Sequence, residues 1–325
     1  MPKTCAQLLT EYRNRNVRVE ATKLVFVGVD GMDVYNICGP FTNPDDPGQV
    51  LIAGRVEARD SEHSTIRFFT ETPSGEWALV ATLPAFALQD PFISVHGGVL
   101  HLGGVEIAED PSGLPGNPLQ YRTVIMACPS LHAAHTVFTG PWGMKDIRLV
   151  DTRGGLGVFT RPRGGTDGRG RIGFTIVDSL ADLTVAAVES APRLASMFIA
   201  EEWGGVNHAA LLDDGRLGVL GHIATFDDEG SRHYYPMAFV LNPADMTWSD
   251  QQVLFERRDL PEGESKRRDL VDVVYPGGLV SDGESATVHC GAGDAESYRV
   301  KIPGPFPEVM GVAPDVPSPG QDASP

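Results

Sequence analysis

The chain has 325 residues, a mass of 34.9 kDa and a formal net charge of −17. Phosphate backbones and anionic lipid surfaces repel so acidic a chain, which argues against nucleic acid and membranes as partners. Hydrophobic residues make up 42% of the sequence, enough for a large core, and the abundant Gly (37) and Pro (25) are typical of short strands joined by tight turns.

At the N-terminus, residues 4–18 are predicted to form a short amphipathic helix with Leu8, Leu9 and Tyr12 on one side. This segment lacks the apolar stretch of a signal peptide, and no run approaches the ~18 apolar residues of a membrane span. The cysteines are scattered without metal-binding spacing, at Cys5, Cys38, Cys128 and Cys290. They indicate idle or buried thiols in a reducing compartment, so we expect a soluble, cytoplasmic protein.

After the helix, one pattern occurs five times: a strand, a short turn with Gly or Asp, and a second strand. The units contain, in chain order, QVLIAGRVEA with STIRFFTET, DPFISVHGGVLHLGGVEI with YRTVIMAC, KDIRLVDTRGGLGVFTRP with GRIGFTIVDS, NHAALLDDGRLGVLGHIA with YYPMAFVLN, and VVYPGGLVSDGESATVHCGAGD with SYRVKIP. A repeat of roughly 50–70 residues predicts an all-β, five-bladed β-propeller with loop insertions. A β-sandwich is the alternative that the pattern leaves open.

The predicted division of the chain has three parts. Residues 1–20 carry the N-terminal helix, and residues 21–311 form the propeller. Residues 312–325 are rich in Pro, Ser and Gly and are predicted to be a disordered tail.

Polar side chains recur at the start of the first strand of each unit. They are Tyr35 and Asn36, Gln89 and Asp90, Lys145 and Asp146, Asn207 and His208, and Tyr275. In a propeller the innermost strands line a central channel, and their starts surround one mouth. We therefore expect these side chains to converge on a single pocket.

Two segments carry carboxylates of uncertain role. Pro91 predicts an extended backbone for Asp90 at the start of a strand, although an Asp-Pro pair by itself favours a turn carboxylate. In GRVEARD, a strand would place Arg55, Glu57 and Arg59 on one face, either as a solvated edge or as the lining of a pocket.

Cationic residues and one glycine-rich segment are candidates for ligand contacts. Arg presents a planar fork to phosphate oxygens, while Lys and His add point charge, and the candidates are Lys145, Arg161, Arg163 and His222. The basic cluster at 266–268 is a second place for a small anion. Asp294 lies among small residues that allow close approach of a ligand, and a plain β-turn explains it equally well.

Other motifs are rejected or missing. The segment Gly168 to Gly173 matches G-x-G-x-x-G, but a strand follows it where a dinucleotide site needs a helix, so we interpret it as a hairpin turn. No Ser/His/Asp set, P-loop or metal-ligand spacing occurs, and we expect no metal and no cofactor.

Five segments in order, one per unit, carry a family resemblance. They are Arg55-Val56-Glu57, then Gln89-Asp90-Pro91-Phe92, then Lys145-Asp146 with Thr160-Arg161-Pro162, then Leu220-Gly221-His222 with Tyr235, and finally Tyr275-Pro276-Gly277-Gly278-Leu279 with Gly291-Ala292-Gly293-Asp294. Over residues 35–300 they resemble glycoside hydrolase family 130, five-bladed propellers that act on β-mannosides. They resemble more closely a branch long called a domain of unknown function and now placed in glycosyltransferase family 108.

The resemblance implies Asp90 as the general acid. It implies a substrate site made from Asn36, Arg55, Glu57, Asp146, Asn207, His208, Tyr235 and Asp294, and a phosphate site made from Arg59, Lys145, Arg161 and His222. The chain departs from the family pattern at three positions, because Gln89 and Phe92 replace charged residues and Thr160 replaces a histidine.

The implied activity is an inverting β-1,2-mannoside phosphorylase that also runs as a mannosyltransferase, with mannose-1-phosphate or a sugar nucleotide as donor. The partners are then a small sugar and phosphate. Phosphate is its own nucleophile, so one acid suffices, whereas a hydrolase needs a second carboxylate such as Glu57 or Glu106. A hydrolase and a non-catalytic sugar-binding propeller are the two alternatives.

Overall fold

The computed structural model of the chain describes residues 2–114, 117–163 and 168–306. These residues form twenty-one strands and two α-helices, so the prediction of an all-β protein is confirmed. The predicted tail, residues 312–325, lies outside the described residues. No helix in the described ranges is long and apolar enough to cross a membrane.

The strands are, in chain order, β1 (Glu20–Lys23), β2 (Phe26–Val27), β3 (Asp33–Tyr35), β4 (Phe41–Asn43), β5 (Asp46–Glu57), β6 (Ser64–Glu71), β7 (Trp77–Leu79), β8 (Gln89–His96), β9 (Val99–Leu114), β10 (Asn117–Cys128), β11 (His135–Thr139), β12 (Arg148–Thr152), β13 (Gly155–Thr160), β14 (Gly173–Val177), β15 (Trp203–Leu211), β16 (Leu217–Phe226), β17 (Arg232–Leu241), β18 (Trp248–Val253), β19 (Asp272–Ser281), β20 (Ser285–Ala292) and β21 (Glu296–Pro303). The helices are α1 (Cys5–Arg15) and α2 (Val185–Glu189). Short 3₁₀ turns occur at Leu131–Ala133, Leu180–Asp182, Arg257–Asp259 and Arg268–Leu270.

Consecutive strands pair mostly antiparallel and form five successive groups. The groups are β2–β7, β8–β11, β12–β14, β15–β18 and β19–β21, with β1 added to the edge of β21. The last two groups belong to one sheet because β17 and β19 share a short parallel pairing, with His233 opposite Asp272. Each predicted strand–turn–strand unit falls within one group.

The first strands of neighbouring groups lie against one another, with β5 in this position for the group β2–β7. β5 contacts β8, β8 contacts β12, β12 contacts β15, and β15 contacts β19. Strands in such a position are covered on both faces, so buried and exposed side chains no longer alternate along them. In β16, the next strand outward from β15, all residues from Leu217 to Ala224 are likewise buried.

Irregularities in three of the first strands occur next to polar residues. The register shifts between Gln89 and Phe92 in β8, between Val206 and His208 in β15, and between Pro276 and Gly278 in β19. A bulge inserts one residue and turns its side chain in a new direction, and such bulges are frequent beside active sites.

The backbone at Asp90 differs from the prediction. The sequence predicts an extended residue before Pro91, but Asp90 has a φ of 49° and lies in the left-handed region. Asp is among the few residues that tolerate this region, and the bulge in β8 provides the place for it. The predicted start of a strand at this point is confirmed, and the extended conformation is wrong.

Other sequence predictions about local structure are confirmed. The glycine-rich segment Gly168 to Gly173 leads into β14, a strand, so it is not a dinucleotide fingerprint. The cysteines are all free and buried: Cys5, Cys38, Cys128 and Cys290.

Helix α1 lies within the predicted helical segment. Thr4 and Gln7 form a capping box, in which each side chain bonds to the other's backbone amide at 3.2 and 2.9 Å. Leu8, Leu9 and Tyr12 are buried, and the helix packs on β16 and β18. The apolar side of the helix is therefore the one that the sequence predicts.

We expect Leu8→Ala to lower the free energy of unfolding by about 2–5 kcal/mol, because Leu8 is only 1% exposed and its removal leaves a cavity. Denaturant unfolding monitored by circular dichroism measures the effect. The matched control is Glu11→Ala, on the exposed side of the same helix, for which we expect a change within about 0.5 kcal/mol. Equal effects of the two substitutions would contradict the packing of α1.

Candidate active site

Four polar residues at strand ends share a left-handed backbone. They are Asn36 (φ 47°), Asp90 (φ 49°), Asp146 (φ 63°) and Asp294 (φ 51°). Asn36 follows β3, Asp90 is the second residue of β8, Asp146 precedes β12, and Asp294 follows β20. Such a conformation is sparsely populated outside glycine and concentrates at functional sites, where it sets the direction of a side chain.

Asp90 is buried and accepts two hydrogen bonds on one oxygen. The Asn36 Nδ2 donates to Asp90 Oδ1 at 2.8 Å, and a guanidinium nitrogen of Arg55 donates to the same atom at 3.2 Å. Burial alone would raise the pKa of Asp90, but the charges of Arg55 and Lys145 and these hydrogen bonds outweigh it and hold the pKa below its usual range. Asp90 is therefore a carboxylate at neutral pH.

The Arg55 side chain is held in place by Glu57 and Tyr35. Glu57, two residues further along β5, accepts from Arg55 at 2.6 Å, and the Tyr35 ring lies 4.9 Å from the guanidinium carbon. Glu57 also accepts from the Tyr35 hydroxyl at 2.7 Å and from Lys266. Arg55 and Glu57 thus lie on one face as predicted, and both are buried.

Asp146 forms a second buried ionic group. Arg161 lies 3.0 Å from its Oδ2, Tyr275 donates to its Oδ1 at 3.3 Å, and Arg148 lies 3.7 Å from the same Oδ1. Burial favours the neutral acid, but the charges of Arg161, Lys145 and Arg148 outweigh it and hold the pKa of Asp146 well below its usual range.

Lys145 lies between these two groups without pairing with either. Its charge is stabilised by Asp146 and Asp90, which raise its pKa against the effect of burial. It forms no ion pair within 4 Å with any residue that the structure describes, and its nearest ring is that of Tyr121, at 5.8 Å from Nζ to the centroid. Lys145 therefore keeps its charge available to a ligand.

His222 is uncharged. Burial lowers its pKa to about 3, and the charges of Arg161 and Lys145 add to this effect against the attraction of Asp146. Its Nδ1 lies 2.8 Å from Asn207 Oδ1, and with this orientation of the Asn207 amide the imidazole donates from Nδ1. A neutral imidazole supplies no charge, so a contact of His222 with a phosphate would be a hydrogen bond.

The pKa of Asp294 is raised, in contrast to those of Asp90 and Asp146. Burial raises its pKa, the nearby charge of Asp90 raises it further, and Arg55 and Lys145 only partly oppose this. Two ionised carboxylates beside one another cost free energy, so Asp90 and Asp294 differ in proton affinity.

Three predicted residues lie away from this group. Arg59 is beyond the end of β5, where strand alternation no longer applies, and it pairs with Asp33 and Glu264. Tyr235 lies in the core and donates to Asp272. Glu106, the alternative base, is ion-paired with Arg122. His208 lies near Arg148 of the site, and burial together with the charge of Arg148 lowers the pKa of His208 to about 4.

Three residues of the site were not assigned to it from the sequence. They are Tyr234, Arg148 and Lys266. Tyr234 stacks on His222 at 5.4 Å, so it takes the place predicted for Tyr235. Successive strand residues point to opposite faces, and the choice of the neighbouring tyrosine reverses the face. The basic cluster at 266–268 was the signal for Lys266.

Comparisons with known proteins bear on the whole chain. The family model described as "Protein of unknown function (DUF1861)" matches residues 11–308. No curated protein sequence matches the chain. MPT-4, a mannose phosphorylase from Leishmania mexicana solved in complex with phosphate ion, is 33% identical, with a TM-score of 0.83 and coverage of 93% of each chain.

A second relative from Leishmania mexicana is MPT-1, a GDP-Man-dependent mannosyltransferase. It is 32% identical, with a TM-score of 0.82 and coverage of 93% of this chain and 95% of that chain. A β-1,2-mannobiose phosphorylase from Listeria innocua has a TM-score of 0.59 and covers 84% of this chain and 91% of that chain. At 13% identity, that likeness concerns the fold alone.

The neutral His222 makes stability depend on pH. Between its folded pKa of about 3 and the ordinary value of about 6.5, the unfolded chain binds one more proton, so stability falls by about 1.4 kcal/mol per unit as pH decreases. We expect His222→Gln, which keeps a donor for Asn207, to make this decline shallower by about that amount. Denaturant unfolding at several pH values measures the slope.

The control is His132→Gln, at an exposed histidine, which should leave the slope as in the wild type. An unchanged slope for His222→Gln would show that the imidazole is protonated in the folded protein.

Proposed function

The chain belongs to the DUF1861 family, and from the geometry of its site we propose that it is an inverting mannosyltransferase of the phosphorylase type. It transfers mannose between mannose-1-phosphate, or a sugar nucleotide, and mannose or a β-1,2-linked mannooligosaccharide. The observation that carries the proposal is a buried carboxylate, Asp90, near an ammonium, Lys145, that forms no ion pair with any described residue.

The chemistry needs only a carboxyl group, Asp90, and a cation that holds the phosphate, Lys145. In phosphorolysis a phosphate oxygen attacks C1 of the mannosyl unit, the glycosidic C1–O bond breaks, and Asp90 protonates the departing oxygen. In synthesis the acceptor hydroxyl attacks C1 of mannose-1-phosphate, phosphate leaves, and the hydroxyl proton passes to Asp90. One residue serves as acid in one direction and as base in the other.

The charge state of Asp90 favours synthesis as the first turnover of the free enzyme. A general base must be ionised, and Arg55, Lys145 and Asn36 keep Asp90 ionised at neutral pH. Phosphorolysis requires that Asp90 first take up a proton, which a bound phosphate promotes because it neutralises part of the charge of Lys145.

The anion subsite is assigned to Lys145 and Arg161. Lys145 supplies a charge without an ion pair among the described residues, and Arg161 supplies a guanidinium whose Nη1 lies 3.0 Å from Asp146 Oδ2. Arg59 and His222 are left out of this subsite, since Arg59 is paired at the surface and His222 is neutral.

The sugar subsite is assigned to buried polar atoms that lack hydrogen bonds within the described residues. They include Asn36 Oδ1, Asp146 Oδ2 and Asn207 Nδ2. Asp146 Oδ2 is close to Arg161, but no aligned N–H reaches it. Buried polar groups are almost always satisfied, so sugar hydroxyls are the expected partners of these atoms. Asp294 and the Arg55–Glu57 pair line the same site.

A hydrolase is less well supported. It requires a second carboxylate to activate water, and the two candidates are already engaged. Glu57 is bound by Tyr35, Arg55 and Lys266, and Glu106 is paired with Arg122. A non-catalytic sugar-binding protein remains the third candidate, and it predicts mannoside binding without turnover.

We further propose that the five strand groups are the blades of a five-bladed propeller spanning residues 21–311. The contacts between successive first strands support a ring, and β3 contacts β20 and β21, which brings the fifth group back to the first. The pairing of β1 with β21 joins both ends of the chain in one group. The four free thiols support a reducing, cytoplasmic location.

The proposed role of Asp90 is tested by following phosphate release from mannose-1-phosphate with mannose as acceptor. We expect Asp90→Asn, which keeps the size of the side chain, to lower kcat by about 10²–10⁴-fold, as for loss of a general base. The KM should change little. Phosphate release at the wild-type rate by Asp90→Asn would rule out this role.

The anion subsite is tested by substituting two cationic residues, one inside the subsite and one outside it. Lys145→Met should raise the KM for phosphate in phosphorolysis by about 10–100-fold, the effect of losing one charged hydrogen bond. Arg59→Ala should leave it nearly unchanged, because Arg59 is engaged with Asp33 and Glu264. Turnover of a mannoside without phosphate, unaffected by Lys145→Met, would instead establish a hydrolase.

A further inference from the structure

One buried cation of the site, Lys266, comes from a segment outside the strands. The segment lies between β18 and β19, and the Lys266 side chain is only 6% exposed. Its three N–H donors meet three acceptors: a carboxylate oxygen of Glu57, the Ser61 carbonyl and Glu62 Oε1 at 3.0 Å. Lys266 is therefore fully engaged with the protein, in contrast to Lys145, which has no ion pair among the described residues.

Hydrogen bonds connect Lys266 to Asp90 through two side chains. Glu57 accepts from Lys266 on Oε1, and on Oε2 it accepts from Arg55 Nε at 3.1 Å and Nη2 at 2.6 Å. Nη1 of the same guanidinium donates to Asp90 Oδ1 at 3.2 Å. Arg55 thus divides its donors between two carboxylates. How strongly Glu57 attracts the guanidinium depends on the second cation that compensates Glu57, which is Lys266.

The backbone of Lys266 holds a second carboxylate of the site. Its N–H donates to the Gly293 carbonyl at 2.7 Å, and Gly293 precedes Asp294 in a left-handed turn with a φ of 61°. A Cβ at Gly293 would lie 2.8 Å from the Cβ of Ser265, so the segment packs closely on this turn. The Lys266 charge also opposes the rise in the pKa of Asp294 that burial causes.

The ionic balance around these carboxylates leaves no substitute for Lys266. Among the described residues, Arg55 is the only other cation that is ion-paired with Glu57, and it is also the only one that is ion-paired with Asp90. Without Lys266, one guanidinium would serve two buried carboxylates. The polar and charged groups that face Asp90 and Glu57 are Tyr35, Asn36, Arg55, Lys145, Lys266 and Asp294.

We propose that Lys266 is a positioning residue, which holds Glu57 and thereby fixes the hydrogen bond that Arg55 donates to Asp90. The proposal rests on the proposed function, because it concerns the group that exchanges the proton in mannosyl transfer. Loss of the ammonium draws the guanidinium towards Glu57 and weakens its bond to Asp90, so Asp90 takes up a proton more easily. This role requires no contact between Lys266 and the substrate.

The experiment measures phosphate release from mannose-1-phosphate, with mannose as acceptor, as a function of pH in Lys266→Met. Met keeps the length of the side chain and removes its charge. We expect kcat to fall about tenfold because the acid-base group is misplaced, and the KM for mannose-1-phosphate to stay within about twofold. The acidic limb of the kcat profile should move to higher pH by about 0.5–1 unit. The matched control is Lys301→Met, at an exposed lysine, with no change in either quantity.

Glu57→Gln tests the path from Lys266 to Asp90. If Lys266 acts through Glu57, Lys266→Met should move the acidic limb much less in Glu57→Gln than in the wild type. A limb that stays in place in Lys266→Met, or that moves equally in both backgrounds, would overturn the proposal. A KM for mannose-1-phosphate raised about tenfold with an unmoved limb would also overturn it and make Lys266 a ligand contact.

A measurement without turnover separates this proposal from the proposed function. Carbon-13 NMR of protein labelled at the aspartate carboxyl carbons follows the protonation of Asp90, whose signal is identified by its absence in Asp90→Asn. We expect the midpoint to be higher in Lys266→Met than in the wild type by about 0.5–1 pH unit. This shift in a protein that releases no phosphate would refute the proposed function and support the role of Lys266. Equal midpoints in an active enzyme would refute the role of Lys266 alone.

Discussion

The arrangement of the site depends on one buried arginine, Arg148, at the start of β12. Its guanidinium lies 3.9 Å from the Phe92 centroid and donates to the Asn207 carbonyl at 3.0 Å and to the Tyr275 hydroxyl at 3.2 Å. These partners come from three other strand groups. Removing one partner of a buried charge is strongly destabilising, so Arg148 keeps four groups in a fixed relation around Asp146.

The charges of the site balance each other in a chain of pairs. Asp90 is paired with Arg55, Arg55 with Glu57, and Glu57 with Lys266. On the other side, Asp146 is paired with Arg161. Lys145 lies between the two sets without an ion pair among the described residues. Because buried charges are normally compensated, a buried ammonium without an ion pair offers a place for an anionic ligand.

Several elements of this site could be predicted from residue pattern alone, and others could not. Strand alternation correctly placed Arg55 and Glu57 on one face, since both lie within β5. The same rule failed for Arg59 because β5 ends at Glu57. It also failed at Tyr235, which lies in the core. The neighbouring residue, Tyr234, points to the opposite face of the strand and stacks on His222. The sequence does not reveal where a strand ends or which face is inward.

By itself, the sequence determined the all-β class, the five strand–turn–strand units and the residue types at the strand starts, because these depend on local pattern. Only the tertiary structure decided which charges meet and what state they adopt. Asp90 becomes an anion because Arg55 and Lys145 arrive from other strands and outweigh burial, while His222 becomes neutral because burial prevails. The proton affinity of a buried group is a sum over neighbours distant in sequence, and the chain order alone does not contain that sum.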